Sequence, residues 1–442
     1  MENIVRKKAC IMQLLLCLST ALMAGLALTR VVRLWKLPDV TAYLLAGILV
    51  GPYLLGTLGI PGVGFGSMEE IQSLGLISDL ALGFIAFSIG NEFRLSDLKH
   101  IGRQAVVVGT VQAVFTTLLV DAALIGLHFL MPDKLPLPAA IVLGAVASAT
   151  APAATLMVVR QYKAKGPLTD ILLPIVALDD AVGLVLFAVS FGVAKAFISG
   201  RVDLLSVLLE PLLEVTLSLA LGAALGAAFA WSEKFYHSRS KRQAVSVAYV
   251  MLAVTLSMME FTVGGVHIAF SSLLTCMMLG TVFCNLCDFS EELMARMDRW
   301  TAPLYILFFV LSGAELELSV FRDSYVVIIG VVYIAVRSLG KYFGASFSAR
   351  SVGCTPGIVK YLGITLFPQA GVALGMAMKA EALGEVGAVV SNITLFSVLI
   401  YELVGPYLTR EALQAAGEIK ADGATSARGE IIHFHWRQRH HR

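Results

Sequence analysis

The sequence predicts an all-α polytopic membrane protein of about thirteen transmembrane helices, built as inverted repeats with two interrupted helices that cross. Three observations lead to this prediction. Hydrophobic residues make up 57% of the 442-residue chain and charged residues only 14%, whereas a soluble domain has about 25% charged residues. The apolar residues lie in stretches of about 20, the length that crosses a bilayer. Two of these stretches contain a helix-breaking segment well inside them, one around Pro152 and one around Pro368.

The apolar stretches should all be helices, because lipid offers the backbone no hydrogen-bond partner. The first follows three basic residues, as in a signal peptide, but its apolar run is longer than a signal peptide needs, so we interpret it as an uncleaved span. The spans are predicted at residues 9–30, 38–56, 73–92, 103–130, 137–159, 168–198, 205–231, 243–261, 264–286, 301–318, 325–348, 355–379 and 387–408.

The distribution of Lys and Arg predicts the orientation of the chain. With the N-terminus outside, the loops that would face the cytoplasm hold most of the basic residues outside the spans, as the positive-inside rule requires. Arg6, Lys7 and Lys8 are the exception. The tail, residues 409–442, is predicted to be cytoplasmic and disordered. Its histidines (His433, His435, His440 and His441) are interpreted as part of this solvated end.

Two predicted spans contain residues that interrupt a helix. The fifth span holds Pro152 within Ser-Ala-Thr-Ala-Pro, and the twelfth holds Pro368 within Phe-Pro-Gln-Ala-Gly. Proline removes a backbone donor and clashes with the preceding turn. The twelfth span comes seven spans after the fifth, and because seven is odd the two cross the membrane in opposite directions. Matching interruptions of opposite orientation indicate a secondary transporter with its substrate site at the interruptions.

Four ionisable residues lie deep in the sixth and eleventh predicted spans, and Asp121 lies in the fourth. Asp179 and Asp180 are adjacent in the sixth span, and Arg337 and Lys341 share one helix face in the eleventh. Each such charge costs about 2.5–3.5 kcal/mol to insert, and a buried ion pair adds little stability. We therefore interpret the four residues as functional.

The chemistry of these residues predicts ion exchange. Adjacent helix residues point about 100° apart, so one aspartate can pair with a cation while the other stays free. A free carboxylate, with Thr150 and carbonyls of the interruptions, offers the oxygen ligands that hard cations prefer, and it can bind a proton instead. If Lys341 pairs with Asp179, sodium binding can break this pair and release a proton. Two protons would then be exchanged for one sodium ion, so the exchange would be electrogenic. Arg337 is then a fixed counter-charge with Asp121 as its candidate partner, although whether Lys341 or Arg337 pairs with Asp179 stays open.

Five motifs in order resemble the bacterial monovalent cation:proton antiporter superfamily, in its electrogenic paired-aspartate branch. They are Leu37-Pro38 through Gly51-Pro52, Phe87 through Glu92, Thr150 through Ala154, Asp179-Asp180, and Gly340-Lys341. The resemblance implies that Asp180 is the principal ion carrier and Asp179 the lysine-paired residue. Gln369-Ala370 departs from the family, because several relatives have charged residues there.

The resemblance also implies an architecture. Residues 1–408 would form the transmembrane antiporter domain. Its core helices (about 103–198 and 325–408) would move like an elevator against dimerisation and scaffold helices (about 9–92 and 205–318). The protein would be a homodimer in the cytoplasmic membrane of a bacterium, exchanging sodium or lithium for protons in pH homeostasis.

Other functions are less consistent with the sequence. A potassium/proton antiporter or potassium-efflux protein on the same fold is the main alternative, although no soluble nucleotide-binding domain follows the last span. A sodium-coupled organic-anion symporter would need a polar cluster for its anion, and an intramembrane protease would need aspartates from two helices. The sequence therefore predicts a transporter and no enzyme, with no cofactor, no metal beyond the transported cation and no nucleic-acid partner. Cys284 and Cys287 lack the second ligand pair of a zinc site.

Overall fold

A computed structural model describes residues 2–35, 37–60, 63–91, 93, 95–199, 204–236, 238–263, 266–316 and 322–419. Almost all of this part of the chain is helical, so the predicted all-α membrane fold is confirmed. Seven helices among the described residues are long and apolar enough to cross a membrane individually, and shorter apolar helices accompany them. The multi-pass architecture follows from this pattern.

The first four helices cover the first three predicted spans. The helix α2 starts directly after Pro38, whose fixed φ suits the residue before a helix. It is followed by a short 3₁₀ turn at Leu55–Leu58 that continues the predicted second span. The helices are α1 (Glu2–Val32), α2 (Asp39–Val50), α3 (Met68–Gln72) and α4 (Gly75–Asn91).

The next four helices contain the first interruption. The predicted fifth span is split into two ten-residue halves, and the long helix after it carries Asp179 and Asp180. These helices are α5 (Leu95–Leu130), α6 (Leu137–Val146), α7 (Pro152–Gln161) and α8 (Pro167–Ser199).

The middle of the chain holds the only β-strands among the described residues. The predicted ninth span, 264–286, begins too early, because a β-hairpin pairs Phe261 with Ile268 and the helix starts only at Ser272. The elements are α9 (Leu204–Ser232), α10 (Arg239–Ser257), β1 (Phe261–Val263), β2 (Val266–Ile268), α11 (Ser272–Leu286) and α12 (Ser290–Glu315).

The last four helices contain the second interruption. The predicted twelfth span is again split into two ten-residue halves. The final helix continues to Ala415, so the first residues of the predicted disordered tail are helical. The histidines of the tail lie outside the described residues. The helices are α13 (Ser324–Ser351), α14 (Pro356–Thr365), α15 (Gly371–Ala380) and α16 (Glu385–Ala415).

The helices pack in two groups. In one, α5 contacts α6, α8 and α13, while α13 also contacts α14 and α16. In the other, α11 contacts α4 and α9, while α12 contacts α1, α2 and α4. Three apolar clusters fill the bundle. Two lie mainly in the group around α5–α8 and α13–α16, and the third fills the α1–α4 and α9–α12 group and extends across to residues of α7 and α8.

Glycines allow the backbones of α4 and α11 to touch. A Cβ added to Gly280 would lie 2.2 Å from the carbonyl oxygen of Phe87, and one added to Gly90 would lie 1.8 Å from that of Met277. Close backbone approach at small residues is a main source of helix association within membranes. The two helices therefore lie so close together that a larger side chain at either glycine would overlap the facing backbone.

The segment after α16 is tied to the start of α8. The Glu418 carboxylate accepts hydrogen bonds from the backbone N–H of Leu168 (2.6 Å) and Thr169 (2.8 Å), and from the Thr169 hydroxyl (2.7 Å). It thereby caps free N–H groups at a helix start, where negative charge is favourable. The end of the described chain is thus anchored to the helix that carries Asp179 and Asp180.

The α4–α11 contact yields a stability prediction. Gly280→Ala should lower the midpoint of thermal unfolding, because its Cβ meets backbone and overpacking costs about 1–3 kcal/mol. The matched control is Gly126→Ala in α5, where no atom lies within 4 Å of the added Cβ. The control should unfold at the wild-type temperature or above it. Equal midpoints for the two variants in detergent would contradict the packing argument.

Candidate ion-binding site

The two interruptions meet each other inside the bundle. The backbone N–H of Ala151 donates to the carbonyl oxygen of Pro368 at 2.8 Å, which joins the unwound segments 147–151 and 366–370. Pro152 is the first residue of α7, and Ala151 before it is extended (φ −88°, ψ 101°), as expected for a residue preceding proline. The structure therefore brings together Pro152 and Pro368, which the sequence places far apart.

Arg337 binds the backbone of both interruptions. Its guanidinium donates to the carbonyl oxygens of Ala147 (2.9 Å) and Ala149 (2.6 Å) in the first and of Phe367 (2.8 Å) in the second. The ring of Tyr401 lies 4.4 Å from the guanidinium carbon. Unwinding leaves carbonyls without helical donors, and each would be costly to bury unpaired. Arg337 supplies the missing donors.

The prediction that Asp121 is the partner of Arg337 is wrong. The hydrogen bonds of the guanidinium go to carbonyls, and Asp121 lies instead against Gly144 of α6, with its Oδ1 buried and unpartnered. From the sequence, Arg337 is expected to pair with an acidic side chain that balances its charge. The structure uses it as a donor to backbone dipoles.

Lys341 contacts Asp179. Its Nζ lies 3.0 Å from Asp179 Oδ2 and also donates to the Ser148 carbonyl (2.6 Å) and the Thr150 hydroxyl (2.9 Å). Thr150 in turn donates to Asp179 Oδ2 at 2.5 Å. Between the two cations that the sequence left open, Lys341 is therefore the one in contact with Asp179. Both side chains of the pair are fully buried.

Asp180 differs from its neighbour in having no partner. It is only 2% exposed, and neither carboxylate oxygen has a hydrogen-bond partner. Gly183, one turn further along α8, lies against Ser148 of the first interruption and Met376 of α15. The free carboxyl group therefore sits on a helix that packs directly against the crossing.

Three polar residues of the region were missed by sequence reasoning. The Gln112 amide of α5 donates to Asp179 Oδ1, and Tyr333 contacts Gln369. Glu402 of α16 is 3% exposed with an unpartnered Oε2. A glutamine or glutamate inside an apolar span is a detectable signal, but it does not reveal which neighbour it meets.

Gln369 holds the second interruption in place. Its amide donates to the Val146 carbonyl (2.9 Å) and to the Tyr333 hydroxyl (3.1 Å), and it accepts from Ser397 (3.1 Å). At this departure from the family pattern, a neutral side chain thus bridges both interruptions. It adds no charge to the site.

Two interrupted helices that cross beside buried ionisable side chains define the class of secondary transporters built from inverted repeats. A family model described as "Sodium/hydrogen exchanger, transmembrane" matches residues 18–414. The chain belongs to this sodium/hydrogen exchanger family, which confirms the resemblance to the monovalent cation:proton antiporter superfamily. The family is one of transporters and not of enzymes.

Individual relatives agree with this assignment. The Na⁺/H⁺ antiporter NhaS4 of Synechocystis is 23% identical over 359 residues, which are 79% of this chain and 84% of the relative. Two structures of the sodium proton antiporter MjNhaP1 from Methanocaldococcus jannaschii share the fold. The structure at pH 8 has a TM-score of 0.64 at 17% identity, covering 92% of this chain and 96% of that one. The electron-microscopy structure has a TM-score of 0.71 at 18% identity, and the match covers 92% of this chain and 98% of that one.

The role of Arg337 yields a prediction at this site. Arg337→Lys should lower thermal stability and transport together, because an ammonium cannot reach three carbonyls in a fixed fork. Each carbonyl left without a donor costs on the order of 1–3 kcal/mol. The matched control is Arg322→Lys, at an exposed residue before α13. If Arg337→Lys unfolds at the same temperature as this control, Arg337 does not hold the interruptions.

Proposed function

We propose that this chain exchanges protons for sodium or lithium ions across the membrane, with Asp180 as the residue that binds either ion. The observation that carries the proposal is the contrast between the two aspartates. Asp179 is held by Lys341, Thr150 and Gln112, whereas Asp180 is equally buried and has no partner. The names of the relatives, a Na⁺/H⁺ antiporter and a sodium proton antiporter, support the choice of ions.

The charge on Asp180 explains why binding would be exclusive. An ionised carboxylate without a hydrogen bond or counter-charge is very costly to bury. Asp180 therefore carries either a proton or a cation at any time. The Thr150 hydroxyl and the carbonyls of the crossing are further oxygen ligands of the kind a hard cation prefers. Exclusive occupancy by one ion or the other is the chemical requirement for exchange.

The Lys341–Asp179 pair supplies a second proton to the proposed cycle. When sodium draws Asp179 away from Lys341, the amine loses its counter-charge within a dry environment, where its charged form is disfavoured. Release of its proton would then accompany sodium binding, and exchange would move net charge.

The two packing groups support a division into moving and static parts. In the proposal, the core helices (about 103–198 and 325–408) carry the crossing as a unit past the scaffold helices, giving alternating access. The protein acts as a homodimer in the bacterial cytoplasmic membrane, with its C-terminus in the cytoplasm, and contributes to pH homeostasis. The orientation rests on the Lys and Arg distribution.

A potassium/proton antiporter is the second candidate. The same carboxylate and carbonyl ligands suit any alkali cation, and the size of the site in its loaded state decides among them. Proton flux driven separately by sodium, lithium and potassium gradients in proteoliposomes distinguishes these candidates. Flux with potassium alone would replace the sodium assignment while leaving the role of Asp180 intact.

Asp180→Asn should abolish cation-driven proton flux in proteoliposomes, because the amide takes up no proton at neutral pH and has no negative charge to balance a bound cation. The variant should fold, since it removes a charge that has no partner. The matched control is Asp133→Asn in the exposed loop between α5 and α6, which should exchange normally. Wild-type flux by Asp180→Asn would overturn the site assignment.

Lys341→Ala should weaken exchange or make it electroneutral. The measurement is proton flux with the membrane potential clamped at different values, because only net charge movement responds to potential. Lys234→Ala, at an exposed residue after α9, is the control and should keep the wild-type response. A Lys341→Ala variant with undiminished voltage dependence would contradict the proposed second proton.

A further inference from the structure

An open groove lies on the outer surface of the bundle, between α5, α13 and α14. Its volume is about 840 Å³, within the range of about 300–1,000 Å³ that is typical of small-molecule sites. Its walls include Phe115 of α5 and Tyr342, Phe343 and Phe347 of α13. Phe343 is 53% exposed and Phe347 is 69% exposed. None of the residues assigned to ion exchange lines this groove.

The groove has a basic end. Arg350, in the last turn of α13, and Lys360, in α14, both line it and are both exposed. Neither side chain forms an ion pair with any residue that the structure describes. The Lys360 amine lies 5.0 Å from the centre of the Tyr361 ring. Among the residues that the structure describes, none of those lining the groove is acidic, so no carboxylate of the lining balances the positive charge.

The order of these side chains along α13 matches the profile of a membrane leaflet. Arg350 lies beside the turn that joins α13 to α14, at the end of a 28-residue helix that is long and apolar enough to cross a membrane. Phe347 and Phe343 lie three and seven residues before it, about 5 and 10 Å deeper along the helix axis. The groove therefore runs from a cationic rim at the membrane surface to an aromatic wall at the depth of acyl chains.

We propose that this groove binds one anionic phospholipid from the leaflet at the α13–α14 turn. The phosphate and headgroup contact Arg350 and Lys360, and one acyl chain packs along Phe115, Phe343 and Phe347. Basic residues near a membrane surface attract anionic lipids, and the exposed rings gain apolar contact. The inference does not depend on the proposed function, because it uses no residue of the ion-binding site.

The test is native mass spectrometry of the full-length protein in detergent, titrated with phosphatidylglycerol or with phosphatidylcholine of the same acyl chains. The wild type should retain one phosphatidylglycerol in preference to phosphatidylcholine. Arg350→Gln/Lys360→Gln should weaken phosphatidylglycerol binding about tenfold or more. Lys234→Gln/Lys241→Gln removes the same charge at exposed residues elsewhere and should bind as the wild type does.

Two further outcomes decide the proposal. Phe347→Ala should also weaken phosphatidylglycerol binding, while glycerol phosphate alone should fail to compete; full competition by glycerol phosphate would mean an anion site rather than a lipid site. Equal retention of both lipids by the wild type, or unchanged binding by Arg350→Gln/Lys360→Gln, would overturn the proposal. Wild-type melting temperatures for these surface variants exclude misfolding as the cause.

Discussion

The structure depends on satisfying the backbone of two unwound segments within the membrane. Carbonyls that leave a helix in an apolar environment must find other donors, and here one face of α13 supplies them. Arg337 donates to carbonyls of both segments, and Lys341, one turn later, donates to the Ser148 carbonyl between two of these. The two cations thereby hold open the crossing in which the aspartates lie. Their first role is to replace lost backbone hydrogen bonds.

This role decides how charge is distributed over the site. Two cations face two aspartates, but Arg337 directs its donors to carbonyl dipoles and Lys341 directs its charge to Asp179. Asp180 is left as the group without a hydrogen bond, although it adjoins Asp179 in the sequence. Adjacent helix positions point about 100° apart, so neighbouring carboxyl groups can occupy such different surroundings. The asymmetry between a held and a free carboxyl group is a consequence of helix geometry.

The features that the sequence predicted are those that depend on a residue and its immediate neighbours in the chain. Pro152 and Pro368 located both interruptions, and the cost of membrane charges singled out Asp179, Asp180, Arg337 and Lys341. The sequence did not show which side chains contact each other at the site, because a contact such as that between Gln112 and Asp179 joins residues that are far apart in the chain. For the same reason Asp121 was assigned to Arg337 by charge alone. The hairpin at Phe261–Ile268 was missed since its residues continue an apolar run, and hydropathy alone does not separate a strand from a helix start.

The contacts between the two packing groups indicate how the proposed motion could occur. Within a group, glycines bring backbones together, as between α4 and α11. Between the groups, Arg160 of α7 pairs with Asp298 of α12 at 2.6 Å, and the N–H of Asp39 bonds to Gln161 at 2.9 Å. A partly exposed ion pair contributes only about 0–1 kcal/mol, so it can break and re-form at little cost, whereas backbone contacts at glycines cannot shift without separating the helices. Sliding of one group past the other would therefore exchange the Arg160–Asp298 pair for water and shift the apolar contacts that α7 and α8 make with the α1–α4 and α9–α12 group, while the glycine contacts inside each group stay intact.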